Sequence, residues 1–260
     1  MRRPKPIAVA LTIAGSDSGG GAGIQADLRA FAALGVHGAT AITCITAQNP
    51  KELRAVQPLG VAIVRRQLEA VFAELPPAAV KTGMLYSPAI IQATASFLAR
   101  HSCPLVVDPV MIATSGAPLL MPAAMKALTA ELLLRATLVT PNLSEAEVLT
   151  GTRLRTVEDL RGAARDLHRR FGCAALVKGG HLRGLTAAVD IFYDGKAELL
   201  LTAPFVKGVR THGTGCTFSA AVTAGLARGD SLVAAVRRAK QYITRAIASS
   251  RTAHGHTVLG

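Results

Sequence analysis

The chain has no tryptophan, and aromatic residues make up only 4 % of its 260 positions. Small and aliphatic residues must therefore build the core, and a composition that is 50 % hydrophobic supplies enough of them. No apolar run approaches the roughly 20 residues that a membrane helix needs. The four cysteines (Cys44, Cys103, Cys173 and Cys216) lie far apart and include no Cys-x-x-Cys pair. That spacing argues against a metal knuckle or a disulfide framework and for a reducing, cytoplasmic setting. Acidic residues are few, 16 against 29 Lys and Arg, giving a net charge of +13. No lysine-arginine block interleaved with aromatics accompanies that charge, so a nucleic-acid module is disfavoured. Arginines such as Arg161, Arg165, Arg169 and Arg237 spread over predicted helix faces, mostly as solvated surface, and their field suits a polyanionic small molecule. Gly-Lys-Ser and Gly-Lys-Thr are missing, which excludes a P-loop. There is no internal repeat or low-complexity linker, so residues 1–260 read as one domain.

What is present is an alternation of strand-like and helix-like runs, which predicts a mostly parallel sheet with helices on both faces. Residues 7–14 read as a buried strand. They follow Arg2, Arg3 and Lys5, a faint signal-peptide pattern, but the glycine run after them fits a strand feeding a ligand loop better. Strands are predicted at 39–47, 79–82, 105–108, 137–140 and 174–177, and helices at 24–34, 61–74, 122–134 and 157–171. A helix capped by Ser87-Pro88 should end near Arg100. Ser144 and Glu147 read as a capping box for a helix over 145–150 with Gly151 as its stop. Asp194-Gly195 between 188–193 and 196–202 predicts a β-hairpin with a two-residue turn. A final helix begins at Asp230 or Ser231 and runs to about Ser250, and the tail should fray.

The strongest local signal is Arg210-Thr-His-Gly-Thr-Gly-Cys-Thr-Phe-Ser219. It follows an apolar β-like run and opens a helix predicted over 216–228. Gly213, Thr214 and Gly215 let backbone N–H groups converge at a helix N-terminus, which suits an anion. Cys216 at the helix start should have a lowered thiol pKa. Taken alone, the segment reads equally as a glycine-rich turn with a buried cysteine. Gly15-Ser-Asp-Ser-Gly-Gly-Gly-Ala-Gly23 is a second glycine loop of the same strand-to-helix kind, with close approach to a ligand or a plain lid as its two readings.

Other notable side chains fall at predicted strand ends: Asp17, Gln48, Lys81, Asp108, Asn142 and Lys178. In an open α/β sheet such ends share one crevice. Gln48 could meet a heteroaromatic edge with a donor and an acceptor. Lys178 could reach a phosphate as a point charge. Asn142 and Glu145 could hold Mg²⁺ through water, or could simply cap a helix. The set suits phosphoryl transfer to an acceptor that these residues leave unnamed.

Seven segments then carry a resemblance: residues 12–27, Thr46-Ala-Gln-Asn49, Lys81-Thr-Gly-Met84, Asp108-Pro-Val-Met111, Thr140-Pro-Asn-Leu-Ser-Glu145, Val177-Lys-Gly-Gly-His181 and Thr211-His-Gly-Thr-Gly-Cys-Thr217. Together, and in this order, they resemble the hydroxymethylpyrimidine/phosphomethylpyrimidine kinase family of thiamine biosynthesis, within the ribokinase-like fold. The resemblance implies a three-layer α/β/α kinase, cytoplasmic and homodimeric. It would use ATP and Mg²⁺ to phosphorylate 4-amino-5-hydroxymethyl-2-methylpyrimidine and then its monophosphate. It implies that Gln48 and Asp27 hydrogen-bond the pyrimidine, with Gly15, Met84 and Val110 around it. Asn142 and Glu145 fall by the Mg-phosphate, with Glu145 reaching the metal through water, and Lys178 by the ATP phosphates. Gly213, Thr214, Gly215 and Cys216 then form the anion hole, and Cys216 stands where sugar kinases of the fold carry an aspartate base. Arg210 departs from the Asp or Asn common at that place, and the tail ends short of the family's longer one. The rival within enzymes is a pyridoxine or pyridoxal kinase. The rival outside them is a catalytically silent ligand-binding regulator.

Overall fold

The computed structural model describes residues 6–112, 119–180, 182–206 and 213–259. His181 and the Arg210, Thr211 and His212 of the glycine-rich motif lie outside them. The described chain is organised by one nine-stranded sheet. Its strands are β1 Val9–Asp17, β2 His37–Gln48, β3 Leu53–Pro58, β4 Ala79–Thr82, β5 Leu105–Val107, β6 Leu138–Val139, β7 Ala174–Lys178, β8 Ala187–Tyr193 and β9 Glu198–Pro204. Their spatial order is β3-β2-β1-β4-β5-β6-β7-β8-β9. The six strands from β2 to β7 in that order run parallel, while β3, β8 and β9 are joined antiparallel at the two edges.

The helices are α1 Gly23–Ala33, α2 Val61–Glu74, α3 Pro88–Leu98, α4 Ala124–Ala127, α5 Leu143–Thr150, α6 Val157–Phe171, α7 Thr214–Ala227 and α8 Leu232–Ala248. They cover both faces because the strands are apolar on both. In β5, Leu105 and Val107 join the core under α2, α3, α5 and α6, whereas Val106 joins the core under α7 and α8. This is the period of two in a strand buried on each side. Ala10 and Ala79 are small enough to let α1 and α7 approach the sheet, and Phe31 fills that third cluster. The result is the three-layer α/β/α architecture that the alternation predicts.

Several local expectations are corrected. The sequence predicts no strand between Gln48 and Val61, yet Leu53–Pro58 returns antiparallel along β2 as an edge strand. Its exposed, alternating residues carry little burial signal. The helix expected over 122–134 breaks into α4, a π turn at Leu128–Leu132 and a 3₁₀ turn at Leu133–Arg135. Asn142, not Ser144, caps α5: its side chain accepts from the Glu145 N–H, and the Glu145 carboxylate accepts from the Asn142 N–H. Glu147 instead accepts from the Leu154 N–H at 2.8 Å. The β8–β9 hairpin pairs Tyr193 with Glu198. Its loop is therefore four residues long, closed by Asp194 Oδ1 on the N–H groups of Lys196 and Ala197. The tail does not fray: Arg251–Ala253 and His256–Val258 pair as a small hairpin, β10 and β11, and Leu259 is buried. Among the described residues no helix is long and apolar enough to cross a membrane.

Candidate active site

The parallel strands all deliver their C-terminal ends to one side of the sheet, and a cavity of about 450 Å³ opens there. That volume lies in the range of small-molecule sites. One arm is walled by Gly15, Gln48, Met84, Val110, Ile112 and Leu119. The other runs between α8 and the β8–β9 edge, past Ala188, Ala203, Phe205, Ile243 and Ile247. Asn142, Glu145, Lys178, Lys81, Asp108 and the Gly213–Cys216 turn line the cavity as well.

The turn owes its shape to glycine. Gly213 caps α7 with φ +80°, and a Cβ there would collide with the Gly21 carbonyl oxygen of the first glycine loop. Two glycine loops thus touch backbone to backbone. The first bond of α7 runs from the Thr217 N–H to the Gly213 oxygen. The N–H groups of Thr214, Gly215 and Cys216 precede it and have no intrahelical partner. With the helix dipole they make a turn that receives an anion. The Lys178 ammonium is close by, 3.0 Å from where a Cβ on Gly215 would stand.

Lys178 ends β7 and pairs with Asp108 Oδ1 at 3.0 Å. Desolvation pulls the lysine pKa down, but the carboxylates of Asp108 and Glu145 outweigh it and hold the group charged. Burial would raise the Asp108 carboxyl; Lys178 and Lys81 overcome that and keep it below the ordinary aspartate value. Asp108 also accepts from the Ser219 hydroxyl at 3.2 Å and from the Thr140 hydroxyl at 3.3 Å. Glu145 is buried, which pushes its carboxyl up, although Lys178 opposes the shift. Its oxygens accept the N–H groups of Asn142 at 2.9 Å and Met111 at 3.2 Å. The contact to Met111 pins a segment in which Val110 takes φ +37°, a strained conformation for a β-branched residue. Such strain persists where the surroundings over-determine it, often in ligand walls.

Two sequence expectations change here. Asp27 does not line the cavity. Its Oδ2 binds Lys81 Nζ at 2.9 Å and the Thr12 hydroxyl at 2.6 Å, wholly buried beneath the floor. The residue of the pair that lines the cavity is Lys81. Cys216 does not have a lowered pKa as folded. Burial pushes the thiol up to about 12; Lys81 opposes that, while Asp108 and Asp27 add to it. Helix-start position alone was a poor guide because the cysteine is half-buried on the cavity wall and faced by carboxylates. Gly15, Gln48, Met84, Val110, Asn142, Glu145, Lys178, Gly213, Thr214, Gly215 and Cys216 all come together on the one cavity.

Sequence reasoning placed Lys81 at the crevice without giving it a task, and passed over a second buried pair, Lys240 and Asp190, joined at 2.7 Å. The signal for Lys81 was a lone lysine inside an apolar strand. Nothing local marked Lys240, which sits in an arginine- and lysine-rich helix.

A doubly covered parallel sheet with a phosphate-receiving glycine turn, a charged lysine beside it and an apolar arm on each side defines a small-molecule kinase of the ribokinase-like kind. The phosphomethylpyrimidine kinase family model matches residues 17–259. A hydroxymethylpyrimidine/phosphomethylpyrimidine kinase of Rhizobium meliloti is 50 % identical over 94 % of this chain and 91 % of its own. That of Streptomyces coelicolor is 47 % identical over 91 % and 87 %. Among solved structures, phosphomethylpyrimidine kinase of Clostridium difficile is 44 % identical, with a TM-score of 0.82 over 92 % of this chain and 99 % of its own. A Bacillus subtilis pyridoxal kinase solved with ADP is 39 % identical, with a TM-score of 0.90 over 98 % and 97 %. The chain belongs to the phosphomethylpyrimidine kinase family.

Proposed function

We propose that this protein transfers the γ-phosphoryl group of ATP to the hydroxymethyl group of 4-amino-5-hydroxymethyl-2-methylpyrimidine, and then a second to the monophosphate. The observation that carries the reading is one cavity lined by Gln48 and Met84, by Phe205, Ile243 and Ile247, and by the Gly213–Cys216 turn. The arm with Gln48 and Met84 offers an amide edge and a thioether wall for a small heteroaromatic ring. The apolar slot along Ile243, Ile247 and Phe205 suits a nucleobase. Between the two, Lys178 and the turn's N–H groups stabilise charge on the transferring phosphoryl group. Cys216 lines the cavity at this turn and takes the acceptor's proton as a thiolate, a form that depends on the Lys81 and Lys178 ammonium groups facing the sulfur because the thiol as folded is pushed up to about 12. Most of the rate advantage then comes from alignment, since an alcohol attacking through a loose transition state loses its proton late.

Magnesium fits this donor set as an ion held chiefly by phosphate oxygens and water. Among the described residues no group of three or more His, Cys, Asp or Glu converges on a metal position. Glu145, its oxygens already steadied by two backbone N–H groups, would hold the ion through water. When bound, the ion neutralises charge on the phosphates. The chain reads as a single kinase domain in the cytoplasm, with all four cysteines as free thiols, and as a homodimer. A monomeric sedimentation coefficient would remove the dimer.

A second reading, phosphorylation of pyridoxal or pyridoxine, is favoured by the TM-score of 0.90 to the Bacillus pyridoxal kinase. A coupled ADP-release assay with Mg-ATP and each of the four acceptors separates the two. Turnover on both pyrimidine species is expected. Turnover on pyridoxal or pyridoxine alone would reassign the acceptor, and no ATP turnover would leave the silent regulator.

A further inference from the structure

Lys81 is a fully buried ammonium near the C-terminal end of β4, whose other residues are Ala79, Val80 and Thr82. It spends one hydrogen bond on Asp27 Oδ2, and Thr12 steadies the same oxygen. No other Lys81 hydrogen bond occurs among the described residues, so two N–H donors remain. Lys81 is also part of the cavity floor. The other carboxylate oxygen of Asp27, Oδ1, is buried with no partner. Burying an ion pair whose bonds are incompletely satisfied costs stability, and a pair of apolar residues would serve a purely structural purpose better. That cost suggests a use for the cation at the cavity.

Helix α7 packs on β4 and β5, which brings its first turn, with Cys216, over the strand ends that carry Lys81 and Asp108. The charged groups facing the sulfur are Lys81 from β4, Asp27 from α1, Asp108 from the end of β5 and Lys178 from β7. Lys178 is committed to Asp108. Lys81 is left as the cation with donors to spare.

We propose that Lys81, braced by Asp27 and Thr12, is a positioning residue that acts through Cys216 by holding a positive charge under the sulfur when it becomes a thiolate. The proposal rests on the reading of Cys216 as the proton acceptor, and it gives Asp27 a role other than substrate contact. Burial alone would pull the lysine pKa down; Asp27, the Cys216 sulfur and Asp108 more than reverse this, so Lys81 stays charged at any working pH.

The test removes the charge without leaving a buried carboxylate unpaired, in the double variant Lys81→Met/Asp27→Asn. Its circular dichroism and melting temperature establish that it folds. Iodoacetamide labelling of Cys216, followed by mass spectrometry, then reads the thiolate fraction at a fixed pH of about 8.5. The proposal expects labelling to be slower than wild type by about threefold or more, since Lys81 outweighs Asp27 at the sulfur. It also expects wild-type-like labelling in Lys81→Arg, which keeps the charge. Equal labelling in the double variant and the wild type overturns the proposal, as does equally slow labelling in Lys81→Arg and the double variant when both are folded. Failure of the proton-acceptor reading shows elsewhere, as undiminished turnover in Cys216→Ser, with the labelling difference intact.

Discussion

Cys216 shows how a residue's position can be legible while its chemistry is not. The sequence places it at a helix start after Gly-Thr-Gly, where a thiolate is ordinarily favoured. The fold then sets it, half-buried, near Asp27, Asp108 and Lys81, and desolvation pushes the thiol up to about 12. Asp27 makes the same point in reverse. Its position in a family motif suggested a substrate contact, yet the side chain turns under the floor to Lys81. No pattern along the chain reports which way a helical carboxylate points among three candidate neighbours. Gln48 and Lys178 were legible because each ends a strand, and Asn142 because it caps a helix just beyond one. The two acceptors differ in a way that isolates Cys216. The alcohol must lose a proton, whereas a phosphate monoester, with its second pKa near 6, is already mostly dianionic at pH 7. Cys216→Ala should therefore slow the first phosphorylation by roughly a hundredfold, and the second by less than about tenfold. Single-turnover rates on each acceptor check this; equal losses on both would make Cys216 a structural part of the anion turn.

At the scale of elements, legibility followed burial. Strands buried on both faces, such as β4 and β5, and the strongly amphipathic α6 fall where the sequence predicts them. The edge strand β3 escaped because half of its residues face water. The hairpin β10–β11 escaped because its residues are mostly polar and its strands are three residues each. The cap of α5 was displaced by two residues: Asn142–Glu145 and Ser144–Glu147 both fit a capping pattern, and only the strand end at Val139 decides between them. The α7 start carries a prediction of its own. Gly213 holds φ +80° with the Gly21 carbonyl where a Cβ would go. Gly213→Ala should force the two glycine loops apart and rotate the first-turn N–H groups off the phosphate. We expect kcat/KM for ATP to fall by roughly a hundredfold, the range for loss of a preorganised oxyanion contact, with the melting temperature lowered by only a few degrees. An unchanged kcat/KM would mean that the turn does not hold the transferred group.

The whole molecule explains why a chain with so few aromatics folds around one deep cleft. Alanines on β1, β4, α1 and α7 bring helices close to the sheet, and the parallel strands gather every charged strand-end residue on the same rim. The buried ion pairs Lys81–Asp27, Lys178–Asp108 and Lys240–Asp190 all stand at that rim or just beneath it. Stability alone would not favour three such pairs; a site that handles phosphate and must stay dry gives them a purpose. The net charge of +13 gives the molecule a positive field that suits a polyanionic small molecule. The central claim, that one cleft phosphorylates the pyrimidine twice, is tested most directly by counting. ADP released on complete conversion of a limiting amount of 4-amino-5-hydroxymethyl-2-methylpyrimidine, with Mg-ATP in excess, should reach about two equivalents. The monophosphate should yield about one, since it enters at the second of the two transfers. One equivalent from the free alcohol, with none from the monophosphate, would contradict the claim and leave a kinase of a single step.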